Sequence, residues 1–346
     1  MLRRGVSIAV VILALAACGQ STSSSGYNAP FGGPQNHFHD LLALRGIPDT
    51  VLLATHAGLY RTTNGGGRWT EVAGGPGQQM DGLMLFKFAQ SPADAKRVYV
   101  LAVPRTDRPG DARATTGLYS SADAGQTWHL AAPLSHFPTK TVYTIGAGSG
   151  TASQVYALVT SLGEHGLYAS DDLGAQWHPM PTLPDSHPTG MTGDPTHPGR
   201  IILWSASTGV YTSEDAGQTW RRGMGTETGI FSVSLTGSLI YASGDAGMFV
   251  SSDDGANFTL ANKDYAFSSV VACPAAPATA YALAGTAVYA SSDSGQAWTP
   301  TAPTTSHPSN LTADPANGRV AYVGFSYPVG VATTTDGGAH WRTVFP

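Results

Sequence analysis

"SADAGQTW", residues 121–128, places a hydroxyl, a carboxylate, a glycine and a tryptophan at fixed offsets within eight positions. The arrangement returns as TTNGGGRW (62–69), SDDLGAQW (170–177), SEDAGQTW (213–220), SSDDGANF (251–258), SSDSGQAW (291–298) and TTDGGAHW (334–341). The shared rule is Ser or Thr, any residue, Asp or Asn, any residue, Gly, any two residues, then Trp or Phe. Seven copies are too many for coincidence, so the chain reads first as an internal repeat.

Each octet follows a short β-like run: GLYR, GLYS, GLYA, GVYT, GMFV, AVYA and GVAT. Upstream of most copies lie two further apolar runs, as in SSVVACP followed by ATAYALAG. One unit is therefore strand A, turn, strand B, loop, strand C, octet turn, strand D. The aromatic anchors are 38 to 59 residues apart, with most gaps near 40. That period with four short strands predicts an all-β fold, a seven-bladed β-propeller with four-stranded antiparallel blades.

Within the octet, Asn64, Asp123, Asp172, Asp215, Asp253, Asp293 and Asp336 are expected to accept bonds from N–H groups of their own turns. The Ser or Thr hydroxyl does likewise, and the glycine admits a positive φ. Trp69, Trp128, Trp177, Trp220, Phe258, Trp298 and Trp341 open strand D and are expected to pack against the neighbouring sheet. Calcium at these turns is disfavoured, because it needs six or more oxygen ligands, usually from several acidic residues.

These octets resemble the Asp-box, or bacterial neuraminidase repeat, of sialidases, some xyloglucan hydrolases, sortilin receptors and a photosystem II assembly factor. The resemblance extends over nearly all of residues 36–346 and implies a propeller without implying one activity. The stretch HFHDLL…VLLATHAGLYRTTNGG also resembles small bacterial lipoproteins described as glycosylhydrolase-like.

The start of the chain is a separate object. MLRRGVSIAVVILALAAC (1–18) has a basic start, a short apolar run and small residues before Cys18, and reads as a secretory signal. LAAC (15–18) resembles the bacterial lipobox, which implies lipid attachment at Cys18 and a place in the bacterial cell envelope, anchored to membrane outside the cytoplasm. Residues 19–35 read as a flexible Ser/Gly-rich tether, and 36–346 as the propeller, expected to be monomeric. Cys273 then has no intramolecular partner and reads as a small buried hydrophobe. A net charge of −5, with no basic run beyond two arginine pairs, excludes nucleic acid as a partner.

Antiparallel A–B–C–D order puts the A–B turns and the octets on one rim, and the B–C loops and D–A links on the other. Because the octets read as structural, function is expected on the second, open rim. Its ligand-binding candidates are Arg105, Arg108 and Arg113 in the long insertion at 103–117, together with Tyr265 and Tyr327. Glu164 and His165 read as part of a B–C loop there. A glycosidase needs two carboxylates flanking the scissile bond, and Asp81, Glu164, Asp185 and Glu227 are the candidates, though nothing in the sequence pairs any two. A sialidase grips a carboxylate with three arginines from different blades. Here Arg45, Arg97, Arg200 and Arg319 fall at A–B turns instead.

His37 and His39 share one side of strand A, and the antiparallel partner His56 falls opposite residue 39. No cofactor is expected except a transition metal on this trio. The favoured reading is a lipid-anchored module that binds or assembles a protein, peptide or glycan ligand on the open rim. The alternative is a non-sialidase glycoside hydrolase using the open-rim carboxylates.

Overall fold

The computed structural model describes residues 37–105, 110, 112–137, 142, 144–148, 150–161, 164–181, 183–185, 188–226, 229–301, 307–326 and 329–345. Their strands form seven four-stranded antiparallel sheets, each built from consecutive strands. Blade 1 comprises Phe38–Ala43, Val51–Thr55, Leu59–Thr62 and Thr70–Ala73 as strands A to D. Strand A recurs as Leu83–Gln90, Thr144–Ala147, Gly190–Gly193, Ile230–Leu235, Ser269–Cys273 and Pro308–Ala313. The apolar runs of strand B are buried throughout, as in Val51–Thr55 and Ile240–Gly244, because both faces of each sheet meet a neighbouring blade.

The octets behave as one device. In every copy the hydroxyl of the first residue donates to the Asp or Asn at 2.8–2.9 Å. It also accepts from the glycine N–H at 2.7–3.1 Å. The Asp or Asn then accepts from the N–H just before the aromatic residue, at 2.8–3.0 Å. These bonds satisfy the donors of a tight turn that no strand can reach. Two successive residues are left-handed, not one. The fifth is always Gly, but the fourth is Ala124, Leu173, Ala216, Asp254 or Ser294 in five blades, with φ of 58–63°. In most blades the N–H of this fourth residue bonds the A–B turn of the same blade, as Ala216 does to Gly199 O at 2.8 Å.

Each octet aromatic packs against the preceding blade. Trp128 joins Leu52, Leu59 and Phe88, and Trp298 joins Tyr241 and Met248. Trp128, Phe258 and Trp298 are buried, whereas Trp69, Trp177, Trp220 and Trp341 are half-buried. The ring closes without strand exchange. Leu41 and Leu53 of blade 1 pack on Tyr322 and Val331 of blade 7, while Trp69 Nε1 donates to Val344 O at 3.1 Å.

Two further ties between blades have no counterpart in the octet. Buried tyrosines near the start of strand B donate to carbonyls of the next blade. Tyr241 reaches Pro277 O at 2.6 Å, Tyr281 reaches Gly318 O at 2.8 Å, and Tyr99 reaches Ala152 O. Nearer the axis, side chains occupy edge N–H groups of neighbouring strands A. Asp40 accepts from Phe88 N at 2.8 Å, Ser234 from Ala272 N at 2.9 Å, and Thr312 from Ala43 N at 3.2 Å. An edge strand left open is a template for unwanted pairing, and these side chains cover part of it.

Candidate functional site

The histidine trio sits where the chain enters blade 1. Strand A is bulged there: Phe38 pairs Thr55 and Asp40 pairs Ala54, which leaves His39 as the extra residue. A bulge bends the strand and re-aims a side chain. His56 directly follows strand B, and its N–H donates to His37 O at 2.9 Å. The three rings converge, with centroids 4.9, 4.9 and 5.5 Å apart. His39 Nε2 and His56 Nδ1 lie 3.2 Å apart in a hydrogen bond. One nitrogen from each ring can be chosen so that all three lie within 4.8 Å of one another. A second irregularity, between Leu85 and Phe88 of blade 2, places Phe86 against His39 at 4.8 Å. Burial, then the positive charge that His37, His56 and Lys87 would add, pushes His39 down to about 3, so its imidazole is neutral at physiological pH. Strict alternation places His37 and His39 on one side. The bulge shows that the register reaches this arrangement by breaking alternation.

The far end of the long insertion, at 113–114, is bonded to the D–A link of blade 1. Arg113 N and Ala114 N both donate to Asp81 O, at 3.1 and 3.0 Å. Asp81 is buried, and its Oδ2 accepts from Gly77 N at 2.8 Å while its buried Oδ1 has no hydrogen-bond partner. Arg113 is exposed, but Arg105 is only 6% exposed, so it does not project as a free rim cation. Asp185 is buried under the hydroxyls of Thr208 and Ser207. Tyr265 packs on Tyr289 at 4.5 Å in a tilted pair and meets Phe267 edge-on, which makes its ring part of the packing between blades 5 and 6. Glu164 is not in a loop. The ladder of blade 3 runs on to Ser161↔Glu164, so both strands extend further there. Cys18 with the segments 1–18 and 19–35, and Arg108, Glu227 and Tyr327, lie outside the described residues.

Two of the arginines at the A–B turns are engaged structurally. Arg45 donates to Ser91 O and Pro92 O, tying blade 1 to blade 2. Arg200, its side chain 7% exposed, bonds Asp194, Glu214 and Asp254. Cys273 is buried and donates to Asp314 O at 3.1 Å; burial pushes its thiol up, as suits a packed hydrophobe.

A cavity of ≈ 290 Å³ lies in the channel, lined by strands A of blades 1 to 5 and by their A–B turns. Leu42, Phe88, Ile145, Met191 and Val233 make its apolar wall, with Gln90 and Ser234 among its polar groups. It lies toward the octet rim rather than the open rim. Function is expected on the open rim, whereas this concavity is formed by strands A, which belong to neither rim and narrow the channel from within. No carboxylate, histidine or cysteine lines this cavity among the described residues.

No family model and no curated protein matches the chain. Among solved structures it is similar to the GH74 xyloglucanase from Xanthomonas campestris, at 18% identity and a TM-score of 0.69, covering 90% of this chain and 55% of that one. It is also similar to YCF48 bound to D1 peptide, at 12% identity and a TM-score of 0.55, covering 76% and 81%. A third is PorZ, a bacterial surface component of the type-IX secretion system of Porphyromonas gingivalis, at 11% identity and a TM-score of 0.53, covering 88% and 39%. The chain thus spans about half the length of the xyloglucanase. At these identities the likeness is one of fold, and the fold is an all-β propeller of seven four-stranded blades.

Proposed function

We propose that this protein is a binding or assembly module of the Asp-box type, lipid-anchored through Cys18 in the bacterial envelope, that holds a protein or peptide ligand on its propeller. A single observation carries this reading: the channel cavity is lined by apolar and hydrogen-bonding groups, with no carboxylate among its described residues. Hydrolysis of a glycoside needs an acid and a base, or an acid and a nucleophile, across the scissile bond. The rim carboxylates Asp81 and Asp185 are buried and engaged, Asp81 by Gly77 N of its own link and Asp185 by the hydroxyls of Ser207 and Thr208, which suits a fixed surface better than proton transfer. Two structures of similar fold support the choice, one a propeller bound to a peptide and the other a bacterial surface component. The GH74 likeness supports the alternative of a glycan-directed protein.

The test sets these readings against each other. The full chain is used as bait for envelope proteins, probed on a glycan array, and assayed with chromogenic β-glycosides. Saturable capture of a defined protein or peptide without glycoside turnover is the expected result. Turnover abolished by Asp81→Asn or Asp185→Asn would replace the binding reading with hydrolysis.

A further inference from the structure

We infer that His37, His39 and His56 form a binding site for a first-row transition ion of the Zn(II) or Co(II) kind, with three protein ligands and a coordination position left for water or an exogenous donor. The argument begins with ligand chemistry. Neutral imidazole nitrogen suits zinc, cobalt, nickel and copper, and three-imidazole sets with an open position are an established way to hold zinc. Metal–nitrogen bonds of about 2.0–2.1 Å in tetrahedral geometry place the ligand nitrogens roughly 3.3 Å apart. His39 Nε2 and His56 Nδ1 already stand 3.2 Å apart, and the widest separation in the set is no more than 4.8 Å. An ion would therefore replace the proton shared by His39 and His56, and close the widest separation by up to about 1.5 Å.

The backbone supports the same reading. His39 is the extra residue of a bulge, and His56 is fixed by its N–H bond to His37 O, so the three ligands come from strand A and the residues flanking strands A and B, held together. Bulges recur in strand A of blades 5 and 7, at Phe231 and Ser309; blade 7 keeps a single histidine, His307, at the place of His37, where its O accepts from Ser326 N at 3.0 Å. The device is therefore a general feature of these inner strands, and among these bulged strands blade 1 alone carries imidazoles at all three positions. Phe86 packs against the face of His39, and a dry apolar wall of this kind limits ring rotation. Asp40, the nearest acidic residue in sequence, is turned away to Phe88 N and Lys87. Among the described residues no fourth His, Cys, Asp or Glu joins the set, which is what leaves a position open. Three ligands plus an exchangeable position is the pattern of sites that act on or hold a ligand rather than sites that only staple a fold. The inference does not depend on which macromolecule the propeller binds.

The experiment uses the tag-free full chain, stripped with a chelator and titrated with Zn(II) by calorimetry and with Co(II) by visible absorption. One ion per chain is expected, with Co(II) giving the intense d–d bands of a low-coordinate site. His39→Gln and His56→Gln should each weaken Zn(II) about 100-fold or more, since even outer-sphere changes cost 10- to 100-fold. His178→Gln, on strand D of blade 3, should bind as wild type does. Should both ligand variants misfold by circular dichroism, His37→Gln serves in their place, because His37 lies at the very start of blade 1 and outside its strands. Azide should then shift the Co(II) bands. No saturable binding by the wild type, or unchanged affinity in the folded variants, overturns the site. Co(II) bands that do not respond to azide overturn the open position.

Discussion

Truncation of two octet tryptophans separates packing from turn chemistry. Trp128 is 2% exposed, sits among Leu52, Leu59 and Phe88, and donates Nε1 to Gly125 O at 3.0 Å. Trp220 occupies the same octet position two blades on, but it is half-buried and its buried Nε1 has no hydrogen-bond partner. A fully buried tryptophan removes roughly 200 Å² from water, worth about 5 kcal/mol at 25 cal/mol per Å². Trp128→Ala should therefore cost about 4–5 kcal/mol, at the upper end of large-to-alanine truncations. Trp220→Ala loses less area and also deletes an unpaired buried donor, whose burial costs about 1–3 kcal/mol. Its net cost should be about 1–3 kcal/mol. Urea titrations followed by tryptophan fluorescence and circular dichroism, with the slope checked for constancy, measure both. A Trp220→Ala penalty equal to or above that of Trp128→Ala would refute the claim that aromatic burial between blades, rather than the turn itself, sets the octet's contribution.

Three other outcomes follow from the same geometry. Ala216 is left-handed at φ 58°, so Ala216→Gly should raise stability by about 0.5–1 kcal/mol in urea, while Gly217→Ala, at φ 90°, should lower it by about 1–2 kcal/mol. Burial pushes Tyr156, Tyr241, Tyr281 and Tyr322 up to about 12, above their unfolded value of about 10. A raised folded value means the stabilisation is complete below about pH 10 and is lost as pH rises towards 12; urea midpoints should fall across that window, and less steeply in Tyr281→Phe. Asp253 is held down to about 2, first by the Asn257 side chain and N–H and then by Ser251, so its contribution is present above about pH 4 and lost as pH falls through 2. Asp253→Asn, which copies the natural Asn64 octet, should fold normally at neutral pH and show a flatter acid limb.

The octet was legible because its causes are local. A hydroxyl, a carboxylate and a glycine at offsets one, three and five determine one another's hydrogen bonds within a single turn, and seven copies expose the rule. The left-handed fourth residue was not legible, because Ala, Leu, Asp and Ser there share no chemistry; what Ala124, Leu173, Ala216 and Ser294 share is an N–H directed at the A–B turn. The strand-B tyrosines show an intermediate case. VYVLAV, VYALVT, IYASGD, AYALAG and AYVGFS repeat visibly at 98–103, 155–160, 240–245, 280–285 and 321–326. Yet acceptors such as Pro277 and Gly318 lie more than thirty residues away on the next blade, and only the closed ring brings them within reach.

The same distinction explains the candidate site. His37, His39 and His56 meet because two adjacent strands of one hairpin carry them, so simple antiparallel pairing brings them close before any bulge is known. Tyr265 and Arg105 lie on the expected rim, but side-chain burial depends on which blade leans over them, and a linear chain does not encode that by spacing. The channel cavity goes further. Its wall is assembled from five strands A, each contributing a few residues with no shared motif, so no single segment carries its signature. The histidine trio and the channel cavity therefore differ in kind. The histidine trio is a product of one blade and should survive changes elsewhere in the ring, whereas the cavity exists only while the ring is closed. Loosening the seam between blades 1 and 7, for instance at Trp69, should erode any ligand affinity that uses the cavity before it affects metal affinity at the trio.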